Sequence, residues 1–185
     1  MERADEESII EECRNGNWGK FDQIYDHYLP KIYRYIYYRI GHKQTAEDLS
    51  SAVFLKIVQG LHTYRSEQGV FATWGYRISR NTLIDHQRAR KPTADLQEAW
   101  DVASAENVEL QADAAVKIES VKQMIKQLPP DVQEIVKMRV WDELSHKEIA
   151  EILDISEENS KTIFSRALAS LKQAINQSHD PANRS

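Results

Sequence analysis

The chain has 185 residues, 41% of them hydrophobic, which is enough for one ordinary domain or two small ones. No apolar run approaches the roughly 20 residues a membrane helix requires, and the opening MERADEES is acidic where a secretory signal is basic and then apolar, so a soluble cytoplasmic protein without direct membrane insertion is expected. The single cysteine, Cys13, excludes an internal disulfide and a cysteine-rich zinc site; no nucleophile or phosphate-loop motif is present, and neither metal nor cofactor is expected.

Helical spacing dominates throughout and no stretch alternates like a strand, so the fold class expected is all-α. The first helix is predicted over Asp5 to Arg14, stopping at Asn15-Gly16. A longer helical region follows from Trp18 to Ile40, with Phe21, Ile24, Tyr25, Tyr28, Ile32, Tyr35 and Ile36 at core spacing. Pro30 is predicted to kink or split it after Tyr28, and Gly41 to close it. Tyr33, Tyr37 and Tyr38 on this helix are expected to pack, as is Trp18. Thr45 reads as the next N-cap, with Glu47 and Asp48 in the first turn and Leu49, Val53, Phe54, Ile57 and Leu61 as an inner stripe. His62 to Gly69 is polar, ends in glycine and reads as a loop.

That loop leads into the most distinctive stretch, Val70 to Lys91. Phe71, Trp74, Ile78, Leu83 and Ile84 fall on or near one helical face, and Arg77, Arg80, Asn81, Arg88 and Arg90 on another. From Tyr76 to Lys91 five bases face one acid, Asp85, a local charge of +4 in a chain whose net charge is −5. Such a basic island marks a local polyanion site, because phosphates attract guanidinium groups and released counterions favour the contact. The neighbouring rings of Tyr64, Phe71, Trp74 and Tyr76 narrow the polyanion to nucleic acid, since unpaired bases stack on aromatics beside arginines.

Pro92 ends this helix. Residues 92–113 hold Asp95, Glu98, Asp101, Glu106, Glu109 and Asp113 and no base, the composition of a linker, although Leu96, Trp100 and Val102 form a stripe able to dock. Helical spacing resumes from Ala114 through Val116, Ile118, Val121, Met124 and Ile125 and stops at Leu128-Pro129-Pro130. Another helix is predicted from Asp131 to Trp141, whose indole is expected to close its core. Ser145 then caps a short helix through Leu153, Asp154-Ile155 form a tight turn, and Ser156 caps a final helix reaching Ile175. A short helix, a tight turn and a longer helix is the helix-turn-helix pattern, and Asp154 stands where glycine is common because aspartate tolerates the left-handed region.

Four stretches in this order, FDQIYDHYLPKIYRYIYYRI from Phe21, AEDLSSAVFLKI from Ala46, FATWGYRISRNTLIDHQRAR from Phe71 and QLPPDVQEIVKMRVWDELSHKEIAEILDIS from Gln127, resemble a bacterial RNA polymerase sigma factor of the extracytoplasmic-function, sigma-70-like family. The resemblance implies a region-two domain over residues 1–91, a linker over 92–113, a region-four domain over 114–178, a tail over 179–185, and no region-three domain between. It implies docking of Glu47, Asp48, Ser51, Phe54 and Lys56 on the clamp helices of the largest subunit of core RNA polymerase, with Ser51 where the family commonly has glutamine. Tyr64, Arg65, Phe71, Trp74, Tyr76, Arg77, Arg80, Asn81, Arg88, Arg90 and Lys91 then recognise and melt the minus-ten element of promoter DNA. Glu157, Glu158, Asn159, Lys161, Thr162, Ser165 and Arg166 on the terminal helix face the minus-thirty-five element. There the family usually has an apolar residue at Ser160 and a basic one at Ile163, so a slightly rotated or shifted helix is expected. An anti-sigma factor, often membrane-bound, is the remaining partner implied.

Three other readings compete. An ordinary helix-turn-helix regulator binds duplex DNA without polymerase. A protein-binding adaptor leaves the arginine cluster as a solvated face. A small enzyme needs a catalytic pair, but Asp26-His27 and Asp85-His86 are adjacent on helices and point about 100° apart.

Overall fold

The structure, a computed structural model, describes residues 2–89, 121 and 123–178, which fall into two compact units. The described residues form helices and turns only. Arg90, Lys91, the 92–113 stretch with its Leu96, Trp100 and Val102 stripe, residues 114–120 and the 179–185 tail lie outside them.

In the first unit α1 spans Arg3–Arg14 and buries Ile9, Ile10 and Cys13; it ends at Asn15 and Gly16, whose φ of 90° suits a residue without Cβ. Helix α2 spans Phe21–Ile40, closed by Gly41 in the left-handed region with its N–H 2.8 Å from the Tyr37 carbonyl. Of the kink or split expected at Pro30, the split does not occur: α2 runs through it. Pro30 and Asp26 are both exposed, so water can satisfy the carbonyl that the proline leaves without a donor. Ile24 and Tyr28 before it and Ile32, Tyr35 and Ile36 after it are buried, so packing on both sides holds the helix together.

Helix α3 spans Lys43–Gly60, and its cap also differs from expectation. The N-cap is His42, whose Nδ1 accepts the Thr45 N–H at 3.2 Å, while Thr45 sits inside the helix. Two short 3-10 turns, Leu61–Thr63 and Ser66–Gln68, lead to α4, Phe71–Ala89. The core where α2, α3 and α4 meet is filled by Ile24, Ile32, Tyr35, Ile36, Val53, Ile57, Leu61 and Phe71. Trp18 does not close it, remaining 42% exposed with its ring edge-on to Phe21.

In the second unit residues 123–126 are helical and α5 spans Pro130–Val140, starting on Pro130, where a missing N–H costs nothing. Pro129 and Pro130 supply no donors to the preceding turn, and the Gln133 side-chain amide supplies them instead, donating to the carbonyls of Lys126 at 3.1 Å and Leu128 at 2.8 Å. Helix α6, His146–Leu153, opens with a full capping box between Ser145 and Glu148. It closes at Asp154, left-handed with φ 57°, and α7 follows over Glu157–Ser178. Ile125, Val136, Ala167 and Leu171 form this unit's core, with Met124, Leu128, Val132, Phe164 and Trp141 packed against it.

Candidate nucleic-acid interfaces

Helix α4 turns inward a face richer in small and polar groups than the predicted stripe: Phe71, Thr73, Gly75, Tyr76, Ser79, Thr82 and Leu83 are buried, while Trp74, Ile78 and Ile84 are half-buried. Two of the buried hydroxyls bond the local backbone, Ser79 donating to the Gly75 carbonyl at 2.9 Å and Thr73 to the Val70 carbonyl at 2.8 Å. Opposite, Arg77, Asn81 and Arg88 are exposed at spacings of four and seven, hence on one face, with Arg80 half-exposed at its margin. Asp85 interrupts this basic face, but Lys56 reaches across from α3, its Nζ 3.1 Å from Thr82 Oγ1 and 3.9 Å from Asp85 Oδ2. The lysine thus offsets the acid and leaves the arginines as the local field.

Of the four predicted aromatics, Tyr64, Phe71 and Tyr76 are buried. Trp74 alone reaches the surface. Its ring centroid lies 5.4 Å from Tyr64 and 5.6 Å from Phe71, and those two rings are 5.6 Å apart. The indole edge also rests over Gly60, where an added Cβ would stand 3.4 Å from Cζ2. The loop beneath is pinned by its own polar groups: the Tyr64 hydroxyl donates to the Gly69 carbonyl at 3.1 Å, and Arg65 Nη1 donates to the carbonyls of His62 and Tyr64 at 2.8 and 2.9 Å. Burial, then the carboxylates of Glu6 and Glu7, push the Tyr64 hydroxyl up to about 12, so it stays a donor. Burial and the bond to Glu6 push the Tyr28 hydroxyl still further up.

Along α3, Glu47, Asp48 and Ser51 are exposed, and the Ser51 hydroxyl donates to the Glu47 carbonyl at 3.0 Å. Phe54 is buried with its ring 4.6 Å from Tyr25, and Lys56 is engaged with α4. Two outward apolar residues, Leu55 at 59% exposure and Val58 at 36%, escaped the sequence reading. Their signal was positional: Leu55 stands four residues beyond Ser51 and seven beyond Asp48, on the face that Val53 and Ile57 leave outward.

At the helix-turn-helix, Ser156 Oγ accepts the Asn159 N–H at 3.1 Å and so caps α7. Ser160 is fully buried and lies 3.0 Å from His146 Nδ1, and the His146 ring meets Phe164 edge-on at 5.4 Å. Ser160, Phe164, Ala167 and Leu171 therefore form one inward face at helical spacing. A hydroxyl is tolerated inside because a histidine from α6 pairs with it. Glu157, Glu158, Asn159, Lys161, Ser165 and Arg166 are exposed, and Thr162 and Ile163 half-buried. Lys161 Nζ lies 2.6 Å from Glu157 Oε1, and the ammonium holds that carboxyl below its usual range.

Of the pairs in the enzyme reading, Asp26 is exposed beside a half-buried His27, and Asp85 is engaged by Lys56. His27 Nε2 lies 2.8 Å from Lys31 Nζ, and burial with that neighbouring charge lowers the imidazole's affinity for a proton. No helix among the described residues is long and apolar enough to cross a membrane.

Residues 24–93 match the family model for Sigma-70 region 2, and residues 118–171 that for Sigma-70, region 4. The chain is similar to the ECF RNA polymerase sigma factor BldN of Streptomyces coelicolor, 31% identical over 172 residues, which cover 90% of this chain and 64% of that protein. It is also similar to the ECF RNA polymerase sigma factor SigW of Bacillus subtilis, 30% identical over 179 residues, 90% of this chain and 94% of that one. Among solved structures, the sigma factor RpoE in complex with the anti-sigma factor NepR from Bartonella quintana shares the fold, with a TM-score of 0.59 and 17% identity over 85% of this chain and 97% of that chain. Two sigma-70 regions in their order, and a relative alike over almost all of its length, mean that this chain belongs to the extracytoplasmic-function sigma factors of RNA polymerase.

Proposed function

We propose that this transcription initiation factor binds core RNA polymerase through α3, opens the minus-ten element through α4 and its preceding loop, and reads the minus-thirty-five element through α7. The domain limits proposed are those of the sequence reading: region two over residues 1–91, a linker over 92–113 and region four over 114–178. The observation that carries the proposal is Trp74, a half-buried ring on a buried aromatic base beside the exposed Arg77, Asn81 and Arg88.

Strand opening removes base stacking, and a fixed indole restores part of it at roughly 1–3 kcal/mol per base. Tyr64 and Phe71 act from beneath, as the packing that fixes Trp74, and Tyr76 supports α4 by packing on Tyr35 of α2. Arg65 acts by tying the loop to itself, and Arg77, Arg80, Arg88, Arg90 and Lys91 hold phosphates. On α3 the polymerase meets Glu47, Asp48 and Ser51, with Leu55 and Val58 as the apolar centre and Phe54 as internal support. On α7, Glu158, Asn159, Thr162, Ser165 and Arg166 face base edges in the major groove. An anti-sigma factor occupies these surfaces when the factor is idle, in the cytoplasm, held at the membrane where that partner is membrane-bound. The reading requires neither a catalytic residue nor a cofactor.

Run-off transcription with core polymerase on a promoter library tests it. Transcription from a defined promoter subset, with little retention of the same duplexes by the chain alone, is the expected result. Tight duplex binding without polymerase and no transcription would instead favour an ordinary helix-turn-helix regulator.

A further inference from the structure

Helix α1 lies before residue 24, where the match to Sigma-70 region 2 begins, and nothing in the promoter reading uses it. It packs nevertheless on α2 and on the 3-10 turn Leu61–Thr63, directly before the loop that carries Tyr64. Within that contact sits Glu6, a carboxylate only 8% exposed. Burying a carboxylate is costly unless a donor meets it, and an apolar residue here would incur no such cost. The donor is Tyr28, whose hydroxyl bonds Glu6 Oε2 in the interior.

What the carboxylate adds is orientation. The phenol oxygen lies on the axis about which the ring turns, so a bond there fixes the direction of that axis and the position of the ring's tip, while packing against Phe71 sets the plane. Tyr28 stands edge-on to Phe71 with centroids 5.2 Å apart, and Lys31 Nζ lies 5.3 Å from the Tyr28 ring centre. Phe71 in turn touches both Tyr64 and Trp74 at 5.6 Å. A continuous line of ring contacts therefore leads from a buried carboxylate on α1 to the one aromatic of this cluster that reaches the surface.

We propose that Glu6 is a positioning residue for base capture: by accepting the Tyr28 hydroxyl it fixes Tyr28 and Phe71, and through them holds Trp74 where an unpaired base stacks. The proposal rests on the reading of Trp74 as the stacking ring. It assigns α1, outside the matched region, to the strand-opening step.

The test uses the full chain with core polymerase on one promoter and follows three steps separately: binding to polymerase, closed-complex affinity, and the rate at which promoter thymines become permanganate-reactive. Tyr28→Phe keeps the ring and removes the bond, Glu6→Ala removes the acceptor, Glu6→Gln keeps an acceptor without charge, and Trp74→Ala removes the stacking ring. Losing one interior hydrogen bond should slow opening about two- to tenfold in Tyr28→Phe and Glu6→Ala, with the first two steps unchanged and Glu6→Gln close to the parent. Parental opening rates in Tyr28→Phe and Glu6→Ala, beside slow opening in Trp74→Ala, would overturn the role of Glu6 and leave the stacking reading intact. Equal losses at all three steps that track a lower melting temperature, with no rescue by Glu6→Gln, would reduce Glu6 to a structural residue and also overturn it. Parental opening in Trp74→Ala would remove the stacking reading, and this proposal with it.

Discussion

Helices α4 and α7 both present an outward face to nucleic acid in the reading above, and they are built on opposite electrostatic plans. On α4 the exposed groups are Arg77, Asn81 and Arg88, and the one acid among them is offset from α3 by Lys56. On α7 two acids, Glu157 and Glu158, share the surface with two bases, Lys161 and Arg166, and one base is already paired at 2.6 Å. A net-positive face attracts phosphates of any sequence, whereas a balanced face gains little from phosphates and must rely on base edges. The first helix is thus suited to holding a strand and the second to choosing a site, and the chain's net charge of −5 adds no overall attraction to DNA for either one.

The sharpest way to break this comparison is Trp74→Ala. Removing the ring should lower open-complex formation by roughly ten- to a hundredfold while leaving polymerase binding intact, the scale set by about 1–3 kcal/mol of stacking. Permanganate footprinting of promoter thymines checks it, and unchanged reactivity would leave α4 as only an electrostatic surface.

Next in size is the inward pair of the helix-turn-helix. Ser160→Ala leaves the half-buried His146 without its partner and should destabilise the second unit by about 1 kcal/mol, read as a lower melting temperature. Ile163→Ala, half-buried on the neighbouring turn, should change preference at the minus-thirty-five element with a smaller thermal effect. If Ile163→Ala proved the more destabilising and left promoter preference untouched, α7 would be turned from the face assigned here.

These residues also mark how far the sequence can be read. The all-α class, the Ser145 cap and the left-handed Asp154 were legible because each is decided within a few residues. The split considered at Pro30 and the burial of Trp18 were misjudged for the converse reason: local propensity argued for both, and packing of Ile24, Tyr28, Ile32 and Tyr35 around the proline outweighed the first. The burial of Tyr64 and Tyr76 was illegible: Tyr64 lies in a stretch that reads as a polar loop, and Tyr76 turns inward against the ring of Tyr35 on α2. Lys56 with Thr82 and Asp85, and Ser160 with His146, join helices across 26, 29 and 14 positions, and no spacing rule reaches that far.

A pH measurement sharpens the account of the first unit. Burial, ahead of the lowering effects of Tyr28 and Lys31, raises the Glu6 carboxyl above its ordinary value of 4.5. The unfolded chain then ionises Glu6 first, so this contribution to stability is full below about 4.5 and is lost as pH rises through the higher folded value. Glu6→Gln should flatten that part of the stability profile, and an unchanged slope in a denaturant series across mildly acidic pH would show that Glu6 is hydrated in solution.

The smallest expected effect bears most directly on the contrast between the helices. Glu157 holds Lys161 in an exposed pair one helical turn apart, and the contact between them costs little to break. While the pair lasts, the lysine's charge is shared with a carboxylate that repels phosphates, so α7 approaches DNA nearly neutral. Glu157→Gln removes the repulsion and releases the lysine, making the start of α7 resemble α4 in sign. Holoenzyme carrying this variant should bind promoters more tightly at low salt and discriminate less among minus-thirty-five sequences. If Lys161 takes up one phosphate, the salt dependence of duplex binding should steepen by about 0.9 in logarithmic slope. A steeper slope with undiminished discrimination would mean that Lys161 already contacts the backbone beside Glu157, and that the acid reads a base, as by accepting from a cytosine amino group. An unchanged slope with weaker binding at one base pair alone would assign Glu157 wholly to base reading and leave Lys161 out of the interface.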